Sequence, residues 1–233
     1  MWEERETCWI SHSPQGGKMW RDLAIGAINS SKLSYLIGRG SSQFTKPLEQ
    51  QARIICGLEE EEFTDDAIAV MKRGNDSEAA IREWDSRRRK VKIRTVGKSV
   101  WKFDTRFRSS MDGEEVNDEG VPTGDFVEYK TTENLYRQLA QRLEDVESGV
   151  ADPDDYSHLF NSHYDQITMN GVINDKKGCH YTVIDNHGNA FYQYIPTDVD
   201  HWNNVLYPKA CEFYEKYITP LLLEHNIKII DPC

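Results

Sequence analysis

Asp125-Phe-Val-Glu-Tyr-Lys130 is the stretch that decides the fold, because its β-branched and aromatic residues are typical of a core β-strand. Successive side chains of a strand point to opposite faces, so Glu128 and Lys130 leave one face together. Val127 and Tyr129 then point to the other face, where they can pack. Taken alone, Glu128 and Lys130 could also form an ordinary salt bridge at the edge of a strand.

A second carboxylate is expected to join this pair. Asp112, within Ser109-Ser-Met-Asp-Gly113, lies sixteen residues before Glu128, and the polar loop between them is long enough to make their strands neighbours. Two carboxylates supply the hard oxygen ligands of Mg²⁺ or Mn²⁺, which polarises a phosphoryl group and lowers the pKa of a bound water. Lys130 could orient that water and offset charge on the phosphate. The pattern therefore predicts metal-dependent hydrolysis of phosphodiesters.

The remaining apolar periodicity predicts an α/β (α+β) fold, with one nuclease domain over residues 1–233. Thr64 is expected to cap a long helix that Gly74 and Asn75 weaken in the middle. A switch from period 3.6 to period 2 predicts short strands, of which the first two are joined by a turn at Gly97 and Lys98. The predicted strands cover residues 91–96, 99–103, 107–110 and 125–130, with a hairpin at 179–184 and 190–194. Further helices are predicted after Pro47 and around residues 33–37, 135–146, 158–173 and 198–217.

Composition and charge narrow the class of protein. No stretch of the 233 residues is apolar enough to span a bilayer, and the start of the chain lacks a signal-peptide pattern, so an intracellular protein is expected. The five cysteines lack the spacing of a zinc or disulfide framework. Net charge is −11, yet residues 71–110 hold thirteen Lys or Arg against five Asp or Glu. This local excess, which includes Arg87-Arg88-Arg89-Lys90, could bind phosphates.

The order of motifs gives a family resemblance. The spacing of Asp112, Glu128 and Lys130 resembles that of the PD-(D/E)XK nucleases, and the surrounding sequence resembles the phage lambda exonuclease (YqaJ-like viral recombinase) family. Four further blocks match that family in order and place the resemblance over residues 20–170. They are Trp20-Arg-Asp-Leu-Ala-Ile-Gly-Ala-Ile-Asn-Ser-Ser31, Gly74-Asn-Asp-Ser-Glu78, Ser110-Met-Asp-Gly113 and His163-Tyr-Asp-Gln166.

The resemblance implies a restriction-endonuclease-like core, a mixed central sheet flanked by helices, and a role for each matching residue. Asp112, Glu128 and the carbonyl of Val127 would hold Mg²⁺, for which Mn²⁺ can substitute, and Lys130 would serve the nucleophilic water. In the family pattern, two helices each place one further residue beside the site. These residues are Glu78 and Gln166.

The resemblance also implies a pocket for the 5′-phosphate of a DNA end. Ser31 and Ser110 match the serines of that pocket, whereas the family's arginine falls on Ala24. Arg21 lies one helical turn earlier and is expected to replace it. The family's proline before the aspartate is Met111, which changes a turn preference and no ligand.

The function expected from the resemblance is exonucleolytic cleavage of duplex DNA ends, 5′ to 3′, in viral or phage-type recombination inside a host cell. A homotrimer and a strand-annealing recombinase partner are implied with it, and DNA-backbone contacts are expected from Arg88, Arg106 and Arg108. Two alternatives stay open. One is a site-directed or repair endonuclease on the same core, and the other is a non-catalytic DNA-binding protein on a nuclease scaffold.

Overall fold

Two five-stranded sheets form the centre of the molecule, as a computed structural model shows for residues 2–40, 46–131, 139–141, 144–150, 156, 159, 161–185 and 187–232. The first sheet contains β1 (Trp2–Glu4), β2 (Cys8–Ser11), β3 (Ile28–Asn29), β5 (Lys98–Trp101) and β6 (Phe107–Ser109). Their order is β1-β2-β5-β6-β3, antiparallel except for the parallel pair β3–β6.

The second sheet carries the motif residues. It contains β4 (Lys92–Arg94), β7 (Gly113–Val116), β8 (Pro122–Thr131), β9 (Gly178–Ile184) and β10 (Ala190–Pro196). Their order is β10-β9-β8-β7-β4, and only β8 and β9 run parallel. The predicted hairpin is β9–β10, and the predicted strand at 125–130 is the second half of β8.

The predicted α/β class is confirmed, but the single central sheet is replaced by two sheets. The sequence predicted that residues 91–96 turn into 99–103 through Gly97. In the structure β4 pairs with β7, whereas β5 pairs with β2 and β6. Gly97 lies where the chain passes between the sheets, and a Cβ built there would lie 1.5 Å from the carbonyl oxygen of Ser11. Such a close backbone approach requires glycine.

Helices cover both sheets. The first are α1 (Lys18–Asp22), α2 (Leu33–Leu36), α3 (Leu48–Ile55), α4 (Asp65–Arg89) and α5 (Asn161–Ile173). A C-terminal helical run follows, made of α6 (Val199–His201), α7 (Tyr207–Phe213) and α8 (Thr219–Glu224) joined by π-helical turns at Trp202–Leu206 and Tyr214–Ile218. Of the helix predicted over 135–146, residues 139–141 and 144–146 are described and are helical, and the other residues lie outside the described part of the chain.

Helix α4 begins as predicted. The side-chain oxygen of Thr64 accepts a hydrogen bond from the backbone N–H of Ala67 at 3.2 Å, and Asp65 and Asp66 occupy the first turn. Both features stabilise a helix N-terminus. The helix continues through Gly74 and ends at Arg89, and the next residue, Lys90, has a φ of +57°.

The second sheet lies between α5 and α4. On one face, Phe126 and Val183 pack with Ile167 of α5. On the other face, Val127 and Tyr129 pack with Ile81 of α4. The first sheet, α5 and the C-terminal helical run share a separate core that includes Cys8, Ile28, Phe107, Met169 and Trp202. Within the described residues, no helix has the length and apolar character needed to cross a membrane.

Candidate active site

Asp112, Glu128 and Lys130 meet at one end of the second sheet. Gly113 of β7 lies opposite Val127 of β8, which places Asp112 beside Glu128. The Oδ2 atom of Asp112 accepts a hydrogen bond of 2.7 Å from the backbone N–H of Tyr129. The Nζ atom of Lys130 donates to Oε1 of Glu128 at 2.5 Å. The neighbouring strands predicted from the sequence therefore exist.

Helix α5 contributes two amide side chains to the same cluster. Gln166 donates from Nε2 to Oε1 of Glu128 at 2.8 Å, and its Oε1 accepts from Nζ of Lys130 at 3.2 Å. One turn further along, Asn170 donates to Oε2 of Glu128 at 3.5 Å. The sequence interpretation missed Asn170, although its spacing of four residues from Gln166 puts both on one helix face.

Helix α4 supplies a carboxylate and a guanidinium. Glu78 pairs with Arg82, four residues later, and Arg82 also donates from Nε to the backbone carbonyl of Asp112 at 3.1 Å. Arg82 thus ties Glu78 to the turn that carries Asp112. It was also missed, although its spacing of four residues from Glu78 was a usable signal.

The charges of this site leave an excess of carboxylates. Burial raises the pKa of Asp112, and burial together with the charge of Asp112 raises the pKa values of both Glu78 and Glu128. Burial alone would lower the pKa of Lys130, but the carboxylates of Glu128 and Asp112 raise it, so Lys130 is an ammonium group. Mutual repulsion among hard oxygen ligands is what a divalent cation would relieve.

The residues present therefore fit a divalent metal. Asp112 and Glu128 offer carboxylate oxygens, with Glu78 on the adjacent helix. The side chain of Val127 packs against Ile81 on the opposite face, so its backbone carbonyl is the group that could serve as a ligand.

A different group of ligand-type side chains lies on the opposite face of the second sheet. Glu115, Asp125 and His180 place one potential ligand atom each within 4.8 Å of one another. Glu115 is already paired with Arg89 and with His180, and Asp125 accepts a hydrogen bond from Tyr194 at 3.0 Å. These partners account for the cluster as an ion-paired network.

The residues expected at a DNA end are less tightly assembled. Ser31 is exposed, and Ser110 is half-buried two residues before Asp112. Arg21 is exposed in the last turn of α1, where its guanidinium donates to the carbonyl of Gly16. Ala24 lies three residues later, beyond the end of α1 at Asp22, so the helical spacing assumed for Arg21 and Ala24 does not extend to Ala24.

The first sheet holds a buried lysine that the sequence interpretation missed. Lys98 is 2% exposed, its Nζ donates to Oδ1 of Asn29 at 3.1 Å, and it lies 3.7 Å from the ring centroid of Trp20. Burial and the nearby charge of Arg108 lower the pKa of Lys98 to about 7. Strand alternation did not reveal this residue, because its cover comes from the distant Trp20.

The expected DNA contact of Arg108 needs correction. Arg108 is fully buried and donates to backbone carbonyls, including those of Leu23 at 3.3 Å and Ile230 at 2.8 Å. Its guanidinium therefore joins the first sheet to α1 and the C-terminal residues, and it is not at the surface where a phosphate would lie. Strand period gives the face of a side chain but not the segments that cover that face.

Arg88 and Arg106 remain partly exposed but have acidic partners. Arg88 pairs with Asp85 at 3.0 Å and stacks 3.5 Å from the centroid of Tyr192. Arg106 pairs with Asp104 at 2.6 Å and with Glu215 at 2.6 Å. Much of the positive charge of residues 71–110 is thus neutralised locally.

Similar solved structures are exonucleases. The chain superposes on an alkaline exonuclease (LHK-Exo) from Laribacter hongkongensis with a TM-score of 0.64 and 15% sequence identity, over 90% of this chain and 98% of the other. A phage-related exonuclease from Haemophilus somnus gives a TM-score of 0.56 and 10% identity, over 85% and 96% of the two chains. No family model and no curated protein matches the sequence. The chain has the fold of these exonucleases, which confirms the resemblance at the level of the fold.

Proposed function

We propose that this protein is a metal-dependent DNA exonuclease that hydrolyses phosphodiesters at duplex ends. The observation that carries the proposal is the convergence of Asp112, Glu128 and Lys130, with Gln166 bonded to both Glu128 and Lys130. Similar folds support the exonuclease activity, and LHK-Exo has been solved with dAMP, a deoxynucleoside monophosphate of the kind an exonuclease releases.

Each residue of the site has a defined task in this proposal. Asp112, Glu128 and the Val127 carbonyl would hold Mg²⁺, or Mn²⁺ in its place, and the ion would lower the pKa of a water and offset charge on the phosphate. Lys130 donates hydrogen bonds to the attacking water and to the phosphate oxygen that gains charge. Gln166 fixes the positions of Glu128 and Lys130, because it donates to the first and accepts from the second.

Glu78 and the DNA-end residues complete the assignment. Glu78, held by Arg82, would contact the metal site through a water or would bind a second metal. Ser31, Ser110 and Arg21 seat the terminal 5′-phosphate, which gives 5′-to-3′ polarity. We place the activity in viral or phage-type recombination within the host cell, in a homotrimer that works with a strand-annealing recombinase.

Linear and covalently closed duplexes of the same sequence test the exonuclease activity. In Mg²⁺ the linear duplex should be degraded to mononucleotides, whereas the closed circle should survive, because only the linear form offers an end. Addition of EDTA should stop degradation. Nicking of the circle would favour the endonuclease alternative, and binding without any cleavage would favour a DNA-binding scaffold.

Arg21→Ala tests the end pocket. Hydroxyl groups alone hold a phosphate dianion weakly, so loss of the guanidinium should erase the preference for 5′-phosphorylated over 5′-hydroxyl ends. Some Mg²⁺-dependent cutting should remain, because the cleavage site is intact. Initial rates on the two substrates give this ratio.

Lys18→Ala is the matched control, since Lys18 is exposed on the same helix and pairs with Asp22. A full 5′-phosphate preference in Arg21→Ala would remove Arg21 from the pocket. Absence of any preference in the wild-type protein would contradict the 5′-to-3′ assignment.

A further inference from the structure

A chain of buried hydrogen bonds connects the first sheet to Glu128. It passes through Ser99 and Ser109, which lie opposite each other on β5 and β6. It then passes through two asparagines, Asn170 in the last turn of α5 and Asn174 directly after that helix. All four side chains are buried, and so is Glu128. Because buried polar groups require hydrogen-bond partners, the direction of each bond in this chain can be worked out from the groups it joins.

The backbone carbonyl of Asn170 fixes the side-chain amide of Asn174. A carbonyl can only accept a hydrogen bond, so the atom of Asn174 that lies 2.8 Å from it is the Nδ2 donor. The Oδ1 atom of Asn174 then accepts from the hydroxyl of Ser99 at 2.6 Å. The Nδ2 atom also donates to Oγ of Ser109 at 2.8 Å. The single hydroxyl proton of Ser109 must therefore go to another acceptor.

That acceptor is the Oδ1 atom of Asn170, which lies 2.8 Å from Oγ of Ser109. The bond directs the Nδ2 atom of Asn170 towards two groups of the candidate site. These are Oε2 of Glu128 at 3.5 Å and the backbone carbonyl of Ser110 at 3.4 Å. Both distances are long for a hydrogen bond, so the two contacts depend on how the amide is oriented. Ser109 sets that orientation.

The amide of Asn170 thus contacts both segments that carry the proposed metal ligands. Ser110 lies two residues before Asp112, where the chain passes from β6 of the first sheet to β7 of the second. Glu128 lies on β8 of the second sheet. The separation of the two carboxylates therefore depends on how the sheets meet, and Asn170 bonds to both segments at that point. Mg²⁺ requires oxygen ligands in a nearly fixed geometry, so this separation affects how well the ion is held.

We propose that Asn170 and Ser109 are positioning residues for the divalent metal. Asn170 holds Glu128 and the segment of Asp112 in place, and Ser109 acts through Asn170 by fixing its amide. The proposal rests on the proposed nuclease function, and what it assigns is the affinity of that site for metal. Groups that hydrogen-bond to metal ligands orient them, and their loss typically lowers metal affinity by about 10–100-fold.

Binding of Mn²⁺ to the protein without DNA tests this proposal. In calorimetric titrations, Ser109→Ala should bind Mn²⁺ about tenfold or more weakly than the wild type. Asn170→Ala should lose at least as much affinity, and Asn170→Ser, which also removes the amide, should behave in the same way. Because Ser109 acts through Asn170, the double variant should bind Mn²⁺ as Asn170→Ala does.

Thr168→Val is the matched control, because it removes a buried hydroxyl from the same helix. Among the described residues, that hydroxyl has no hydrogen-bond partner. The affinity of Thr168→Val for Mn²⁺ should equal that of the wild type. Thermal unfolding without metal checks that each variant folds.

Three results would overturn the proposal. They are unchanged Mn²⁺ affinity in Ser109→Ala, a further loss when Ser109→Ala is added to Asn170→Ala, and a wild-type protein that binds no Mn²⁺. Cleavage of linear duplex by the wild type is scored separately. Weaker Mn²⁺ binding in Ser109→Ala without wild-type cleavage would keep the positioning role and contradict the nuclease. Wild-type cleavage with unchanged affinity in Ser109→Ala would do the reverse.

Discussion

Asp112→Ala and Lys130→Ala should each reduce Mg²⁺-dependent cleavage of linear duplex DNA by at least about 10²–10³-fold, because removing one core electrostatic group from an active site costs that much. Asp112 is a proposed metal ligand, and Lys130 is the ammonium group beside Glu128. Single-turnover rates on an end-labelled duplex measure the loss. Either variant retaining more than about a hundredth of the wild-type rate would contradict its assigned role.

Asp112→Ala should also differ from wild type in how metal affects unfolding. Without metal, Asp112→Ala should be as stable as wild type or slightly more so, because burial and the charge of Asp112 both raise the pKa of Glu128 and the variant removes that charge. A ligand that binds the folded state raises its stability. Added Mg²⁺ should therefore raise the melting temperature of wild type and not that of Asp112→Ala. Asp118→Ala and Lys209→Ala remove exposed charges and should match wild type in both measurements.

Glu114→Ala should cost about 3–5 kcal/mol of unfolding free energy, because removing one partner of a buried ion pair leaves the others uncompensated. Glu114 is fully buried and accepts from Arg5 at 2.7 Å, from Arg94 at 2.8 Å and from Lys176 at 2.7 Å. These cations belong to three different parts of the chain. Denaturant unfolding measures the change, and Glu119→Ala, at an exposed turn, should leave stability unchanged.

Low pH should reduce the stabilisation that the ion pairs of Glu114 provide. Burial would raise the pKa of Glu114, but hydrogen bonds from Arg5 and Lys176 hold it at about 2, below the ordinary value of 4.5. A lowered folded-state pKa gives stability that is complete above pH 4.5 and is lost as the pH falls towards 2. The stability difference between wild type and Glu114→Ala should shrink over that window. A difference that stays constant from pH 6 to pH 2.5 would contradict this role.

Local sequence signals predicted the elements that depend on local causes. Thr64 predicted the start of α4, and the composition of residues 125–130 predicted β8. Both predictions succeed because helix capping and the alternation of side chains along a strand depend on only a few neighbouring residues. The pairing of strands was not predictable in this way. Gly97 has the form of a hairpin turn, yet it lies where the chain crosses between sheets, since the partners of β4 and β5 come from distant segments.

The residues of the candidate site also differ in whether local sequence signals could predict them. The two-residue strand period and the loop length predicted that Asp112, Glu128 and Lys130 lie together. Glu78 and Gln166 were predicted only from the family resemblance. Asn170 and Arg82 were within reach, because each lies four residues from a residue already chosen. The burial of Lys98 and Arg108 was not, because the segments that cover them are remote in sequence.

The parallel pairing of β8 with β9 determines at which point during synthesis the candidate site can assemble. Asp112, Glu128 and Lys130 are synthesised before their partners Gln166 and Asn170, which lie on the α5 crossover, and β9 follows that helix. A nascent chain that ends before α5 lacks Gln166 and Asn170, and one that ends before β9 still lacks the strand that pairs with β8. The side chains of the candidate site can therefore all be present only after residue 170 has been synthesised, and the sheet around them only after β9.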